Sequence, residues 1–202
     1  MLRHLVYPFL PYRSFFQPFL VLCAIVVPCW LILRLYWLRR RGRRPSLSRE
    51  LLLLTCVVYL AGLATATLLP NRSSRLLAAG RGGIELRPRV ASLTCSSASL
   101  PEGSTARAFC IHNARGNVML FFPLGVLLPL VRRDLRFRRA LLIALALSAS
   151  IELLQYVSSA WGSYRAADVN DVILNVVGTS LGLALVWPLR SILRGRLAVA
   201  TG

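Results

Sequence analysis

Five long apolar runs, separated by polar or basic segments, dominate the pattern of hydrophobic and polar positions along the chain. The runs are about Ser14 to Leu38, Glu50 to Pro70, Asn117 to Val131, Ala140 to Ser158 and Asp168 to Leu189. Each is long enough, or nearly so, to cross a hydrocarbon core of about 30 Å as a helix. The pattern therefore predicts an all-α, polytopic membrane protein with five transmembrane helices.

Composition supports a membrane location. The chain has 202 residues, of which 56% are hydrophobic, and its mean hydropathy is +0.61, which is too apolar for a soluble domain of this length. All 25 basic residues are arginine, and the net charge is +18. The arginines form short clusters between apolar runs rather than one basic face, so the sequence argues against a nucleic-acid-binding protein.

The arginine clusters predict the orientation in the membrane, because short cytoplasmic loops retain positive charge. Residues 39–49 contain six arginines and residues 132–139 contain five. Placing both loops inside puts the N-terminus outside and a basic tail, residues 191–202, in the cytoplasm. The long segment Asn71 to Gly116 is then an outer loop. Arg34, near the inner end of the first span, is expected to extend toward the basic loop.

Cysteine positions are consistent with this topology. Cys23, Cys29 and Cys56 lie in predicted spans, where small packing residues are common. Cys95 and Cys110 are the two cysteines of the predicted outer loop, in a compartment where a disulfide can persist. A bridge between them and two free thiols are both compatible with the sequence.

Three of the seven carboxylates of the chain lie around the last two spans. Glu152 and Gln155 share a face of the fourth span, with Ser148 on the same stripe, and the predicted depth of Glu152 is within the bilayer. On the fifth span, Asp168, Asp171 and Asn175 follow i, i+3, i+7 spacing, and Gly178 and Gly182 continue near that face as a small-xxx-small motif for helix packing. Asn170 is predicted to point away from this group.

The third span places polar residues at membrane depth from the outer side. Asn117 begins the span, and Pro123 and Gly125 interrupt it, which is tolerated only against protein or water. Intramembrane carboxylates cost several kcal/mol unless they are paired. Arg165 neutralises only one of the three acids, so the others need a proton, a cation or a cationic ligand.

A purely structural interpretation remains open for each of these residues. Asp168 fits an N-cap or a first-turn charge at the start of the fifth span, and Arg165 fits a lone interfacial arginine. Glu152, Gln155 and Asn175 fit hydrogen bonds that join neighbouring helices. The convergence of the acids with one arginine is what favours a site.

The order N-x-x-x-F-F-P-x-G-x-L-L-P, then I-E-x-x-Q, then R-x-x-D-x-x-D-x-x-x-N-x-x-G resembles the VanZ-like family of bacterial membrane proteins. The resemblance covers about Asn113 to Pro188. The matching residues are Asn117, Pro123, Gly125, Glu152, Gln155, Arg165, Asp168, Asp171 and Asn175. It implies a division into two N-terminal helices with the outer loop (1–110), a three-helix core (111–190) and the tail (191–202).

The family is named for an accessory protein of glycopeptide-antibiotic resistance, so the resemblance implies a multi-pass protein of the bacterial plasma membrane and cell envelope. Two function classes follow. In the first, a pocket facing the outer leaflet holds a lipid-linked cell-wall precursor or a glycopeptide, and its ligand-binding residues are Asn117, Glu152, Gln155, Arg165, Asp168, Asp171 and Asn175. In the second, the protein is an enzyme acting on an envelope lipid, with Glu152 as catalytic acid/base and Asp168 and Asp171 holding a divalent cation such as Mg²⁺. The chain offers no convincing nucleophile in this region, and the first class is preferred.

Overall fold

A computed structural model describes residues 13–42, 45–68, 83–96, 100–158 and 167–200, with side chains for residues 15–188 of these ranges. The chain divides into two compact units, Met1–Leu77 and Ala78–Gly202. The first contains two helices, α1 (Arg13–Arg40) and α2 (Leu47–Leu68). The second contains β1 (Ile84–Glu85), α3 (Val90–Thr94), α4 (Thr105–Val131), α5 (Phe137–Ser158), β2 (Ala167–Asp168) and α6 (Val169–Ala200).

The five predicted spans correspond to the five long helices of the described residues. Their apolar segments, long enough to cross a membrane by length and composition, are Phe15–Arg40, Leu47–Leu68, Thr105–Val131, Phe137–Ser158 and Val169–Pro188. The prediction of an all-helical protein with five helices long and apolar enough to span a membrane is therefore confirmed. The described residues add one small feature, a parallel pairing of β1 with β2.

In the first unit, α1 and α2 pack together and are joined by an ion pair. Arg34 Nε and Nη2 donate to the two carboxylate oxygens of Glu50, at 2.8 and 2.7 Å. The sequence predicted the direction in which Arg34 extends but not this partner, a carboxylate directly after the basic loop in the first turn of the next helix. Such a pair holds the two helices together in a fixed register.

In the second unit, α6 packs closely against α4 and also contacts α5. The closest approach between α4 and α6 involves glycines on both helices. A Cβ added to Gly178 would clash with the carbonyl oxygen of Val118, and one added to Gly182 would clash with that of Phe122. On α4, Gly125 faces backbone atoms of Thr179, Gly182 and Leu183.

This contact confirms that the small-xxx-small motif of the last span receives a neighbouring helix, and α4 is that helix. Gly125, which the sequence suggested as a point of bending, also allows α6 to approach. Two helix backbones this close gain dispersion contacts along their length, which is a major source of helix association in a bilayer.

The boundaries of two helices differ from the prediction. Helix α4 begins at Thr105, twelve residues before Asn117, and the Ser104 hydroxyl caps it by accepting from the Arg107 backbone N–H at 3.2 Å. Helix α6 runs to Ala200 and so includes most of the predicted tail. Both extensions contain arginines that interrupt the apolar pattern, so the length of the apolar runs alone could not detect them.

Candidate functional site

Two hydrogen bonds set the register between α4 and α6. Asn113 Nδ2 donates to Asp171 Oδ1 at 3.1 Å, and Thr179 Oγ1 donates to the Phe121 carbonyl oxygen at 3.4 Å. Both bonds join residues 58 apart in sequence. The residue number on α6 exceeds that of its partner on α4 by 58 in both pairs, so the two helices run parallel. By the same difference, Asn117 on α4 lies level with Asn175 on α6.

Polar side chains continue along this interface from its open end into the bundle. We call this set the polar track: Asn113, Asn117, Ser148, Asp171, Asn175 and Thr179. The Asn113–Asp171 bond is exposed, whereas Asn175 is 2% exposed and Ser148 and Thr179 are fully buried. Asp171 belongs to the first turn of α6, where the helix dipole favours an acid.

The deep end of the track connects all three core helices. Asn175 Nδ2 donates to Ser148 Oγ on α5 at 2.9 Å, and Thr179 Oγ1 also donates to the Asn175 carbonyl oxygen at 3.1 Å. The sequence placed Ser148 on the stripe of Glu152, and the bond to Asn175 shows that this stripe faces α6. The Asn175–Ser148 bond is the interhelical hydrogen bond that the structural interpretation of Asn175 anticipated, whereas the Thr179–Asn175 bond lies within α6.

The start of α6 contains a second polar group, formed by Arg89, Glu152, Asp168 and Asn170. Asp168 Oδ1 accepts from the backbone N–H of Asn170 at 2.8 Å and so caps the helix, as one interpretation of the sequence proposed. The Asp168 backbone N–H donates to Glu152 Oε2 at 3.1 Å. Glu152 is 7% exposed. One oxygen of each acid therefore serves to hold the chain where it enters α6.

Asn170 was predicted to point away from the polar residues, and this prediction is wrong. Its side chain is buried, its Nδ2 donates to Asp168 Oδ1 at 2.8 Å, and its Oδ1 accepts from the Arg89 backbone N–H at 3.0 Å. The Arg89 bond spans 81 residues of sequence. Periodicity within α6 could not reveal it, because the partner comes from the distant loop before α4.

That loop is fastened to the core at three places. β1 pairs with β2, where Ile84 and Glu85 face Ala167 and Asp168, and Asn170 binds the Arg89 backbone. A disulfide joins Cys95 to Cys110 in α4, which resolves the choice the sequence left open in favour of a bridge. Cys23, Cys29 and Cys56 are free, as expected for cysteines of the spans.

Two other predicted residues have less defined positions. Gln155 is half-buried on α5, one turn beyond Glu152, and its backbone carbonyl accepts from the Ser158 hydroxyl at 2.8 Å. Arg165 lies outside the described residues. Asn113, which binds Asp171, was not singled out from the sequence, because it precedes the apolar run that defined the third span.

Two buried polar atoms of the polar track lack a hydrogen-bond partner among the described residues: Asn117 Nδ2 and Asn175 Oδ1. The Asn117 side chain interacts with the Asp171 carboxylate, but no hydrogen bond of normal geometry joins them. One of the unpaired atoms is a donor and the other an acceptor, and they lie at one level of two facing helices. A buried, unsatisfied polar group costs about 1–3 kcal/mol, so two at one level need an explanation.

The described residues give weak support to a metal site. No group of three or more His, Cys, Asp or Glu side chains lies together in the part of the chain that the structure describes. Asp168 and Asp171 provide two carboxylates, and one oxygen of Asp168 already accepts two N–H donors. Hard divalent cations require about six oxygen ligands, so most of the shell would have to come from elsewhere.

Comparison with known proteins identifies relatives of the chain. A family model described as VanZ/LLP1 matches residues 53–193, more than two thirds of the chain. The protein VanZ of Enterococcus faecium is 36% identical over 69 residues, which are 34% of this chain and 40% of that relative. The aligned region thus spans less than half of the relative. No solved structure matches the chain.

Proposed function

Since the chain belongs to the VanZ/LLP1 family, we propose that it is a cell-envelope protein of the bacterial plasma membrane that binds an amide- or amine-bearing ligand at the polar track. The ligand is a lipid-linked cell-wall precursor or a glycopeptide, and binding lowers susceptibility to glycopeptide antibiotics. The supporting observation is the unpaired donor of Asn117 and the unpaired acceptor of Asn175, level with each other on α4 and α6.

A peptide amide complements this pair of atoms. Its carbonyl oxygen would accept from Asn117 Nδ2, and its N–H would donate to Asn175 Oδ1. An amide placed there would form hydrogen bonds with both buried groups. Binding would therefore remove the free-energy penalty of leaving these groups unpaired. Precursor peptides and glycopeptides both contain many such amides.

Asp171 adds charge at the exposed end of the track. It lies beside Asn117 and one turn before Asn175, so a ligand amine next to the bound amide would meet its carboxylate. A charged hydrogen bond of this kind is about twice as strong as a neutral one. In this proposal Glu152 and Asp168 hold the start of α6 in place.

The alternative of an envelope-lipid enzyme requires a cation held by Asp168 and Asp171 with Glu152 as acid/base. The cap formed by Asp168 and the bond from Asp168 N–H to Glu152 leave these acids fewer free oxygens for that chemistry. Ligand binding therefore has the better support.

The clearest test replaces Asn117 by leucine, which removes the buried donor without breaking a hydrogen bond of normal geometry among the described residues. We expect an unchanged or higher melting temperature, together with about a 10-fold loss of affinity. The probes are a glycopeptide and, separately, a lipid-linked disaccharide-pentapeptide, titrated into purified protein in nanodiscs. Met119→Leu, on an exposed position of the same helix, is the matched control.

A second variant tests the charge. Asp171→Asn keeps an oxygen that can accept from Asn113 but removes the carboxylate, so binding of an amine-bearing probe should weaken while folding is maintained. Asp134→Asn removes an exposed acid elsewhere and should change neither. If Asn117→Leu lowers the melting temperature and leaves both probes bound at full affinity, the polar track only joins helices and the proposal fails.

A further inference from the structure

A second polar feature lies at the opposite end of the core helices from the polar track. The connection between α4 and α5 surrounds a cavity of about 270 Å³. Its lining residues, which we call the basic cavity, are Arg132, Asp134, Leu135, Arg139, Leu142 and Ile143. This volume suits a headgroup rather than a whole drug-sized ligand, since typical ligand sites measure about 300–1,000 Å³.

The charge at this cavity favours an anion. Two arginines line it, and Asp134 opposes them only weakly, because its 3.7 Å pair with Arg132 joins two side chains that are at least 70% exposed. Helix α5 has no acid in its first turn, where Arg138 and Arg139 follow Phe137. Cations are unfavourable at the positive end of a helix dipole, so an anion bound beside Arg139 would relieve that repulsion.

The other wall of the cavity is apolar and belongs to a membrane span. Leu142 and Ile143 lie one turn beyond Arg139 and are 62% and 40% exposed. They are within the apolar segment Phe137–Ser158. Phe137 packs edge-on against Trp187 with ring centroids 5.4 Å apart, as expected for aromatics at a membrane interface. The cavity thus combines a cationic rim with a wall suited to acyl chains.

We infer that the basic cavity binds one anionic phospholipid. The lipid phosphate lies between Arg132 and Arg139, and an acyl chain follows Leu142 and Ile143 along α5. Basic pockets between membrane helices at the bilayer surface bind such headgroups. The simpler explanation, that these arginines only set the orientation of the protein, treats all five arginines of residues 132–139 alike. The cavity distinguishes them, because Arg136 and Arg138 do not line it.

The experiment uses this distinction. The full chain is reconstituted with phosphatidylglycerol and phosphatidylcholine, and lipids retained on the protein are counted by native mass spectrometry. Wild type should retain one phosphatidylglycerol. Arg132→Gln with Arg139→Gln should reduce retention about 10- to 30-fold, as expected for two arginine contacts near the surface. The matched pair Arg136→Gln with Arg138→Gln has the same charge change and should stay within about 2-fold of wild type.

A third variant keeps every charge. Ile143→Trp places a large side chain in the apolar part of the cavity and should also reduce phosphatidylglycerol retention. This variant still tests the proposal if the double arginine variant does not fold. Equal losses in the two arginine pairs, with no effect of Ile143→Trp, would show a diffuse electrostatic attraction and overturn the proposal. Displacement of the lipid by millimolar inorganic phosphate would show a site for soluble anions and overturn it as well.

Discussion

The contact between α4 and α6 predicts that a single methyl group at Gly178 destabilises the protein. A Cβ built at this position would lie 2.9 Å from the Val118 carbonyl carbon and 3.0 Å from the Val118 Cα, and would overlap the carbonyl oxygen. Backbone atoms cannot rotate away as a flexible side chain does. The two helices would have to separate along the interface that also contains Gly125 and Gly182.

Two opposing terms determine the size of the effect. Inserting a methyl group into a tightly packed interior costs about 1–3 kcal/mol, and the upper value applies where backbone must move. Replacing glycine by alanine within a helix gains about 1 kcal/mol from helix propensity. The net loss of unfolding free energy for Gly178→Ala is therefore about 2 kcal/mol, which corresponds to a decrease of roughly 4–8 °C in melting temperature for a protein of this size.

Gly116 provides the matched control. It is a helical glycine of α4 whose added Cβ would meet nothing within 4 Å. Gly116→Ala should therefore keep the propensity gain without the clash and leave the melting temperature unchanged or higher. The measurement is thermal unfolding of both variants in one detergent. A melting temperature of Gly178→Ala equal to or above that of Gly116→Ala would refute the close α4–α6 approach.

Three further predictions concern the loops and the helix start. Non-reducing peptide mapping of freshly alkylated membranes should recover Cys95 linked to Cys110, and reduction should cost about 3 kcal/mol of stability for a loop of this length. Asp168→Ala should lower stability by about 1 kcal/mol through loss of the cap, whereas Asp168→Asn should retain most of it; equal values would exclude the capping role. Single cysteines beside Arg41 or Arg136 should resist an impermeant thiol reagent on intact cells, and labelling there would reverse the predicted orientation.

The features predictable from the sequence are those that depend on local pattern. Apolar length identified the five spans, and the spacing of Gly178 and Gly182 identified a face for close packing, because both signals are contained within one helix. Topology also placed Cys95 and Cys110 in one predicted loop, which made a bridge possible, but the sequence did not decide between a bridge and two free thiols.

The features that were missed depend on partners distant in sequence. Asn170 was assigned to the wrong face because the assignment used only its position within the last span. Its oxygen accepts from the backbone of Arg89, a loop residue that is distant in sequence. Glu50 was available to Arg34 only once α1 and α2 had packed together. Asn113 was missed because it lies in the first turns of α4, before the apolar run. Arginines interrupt the apolar pattern in these turns, so the length of the apolar run does not detect them.

The constant offset between α4 and α6 also has a consequence for biosynthesis. Asn113 and Asp171 are 58 residues apart, so at about 5–20 residues per second the ribosome delivers the partner of α4 roughly 3–12 s after α4 itself. During that interval α4 must reside in the bilayer without α6. Its two amides, Asn113 and Asn117, precede the uniformly apolar run from Val118 to Val131, so we expect water and headgroups to solvate them. An asparagine placed in the second half, at the level of Gly125, would lack this solvation, so we expect such a variant to be retained by the insertion machinery before it could fold.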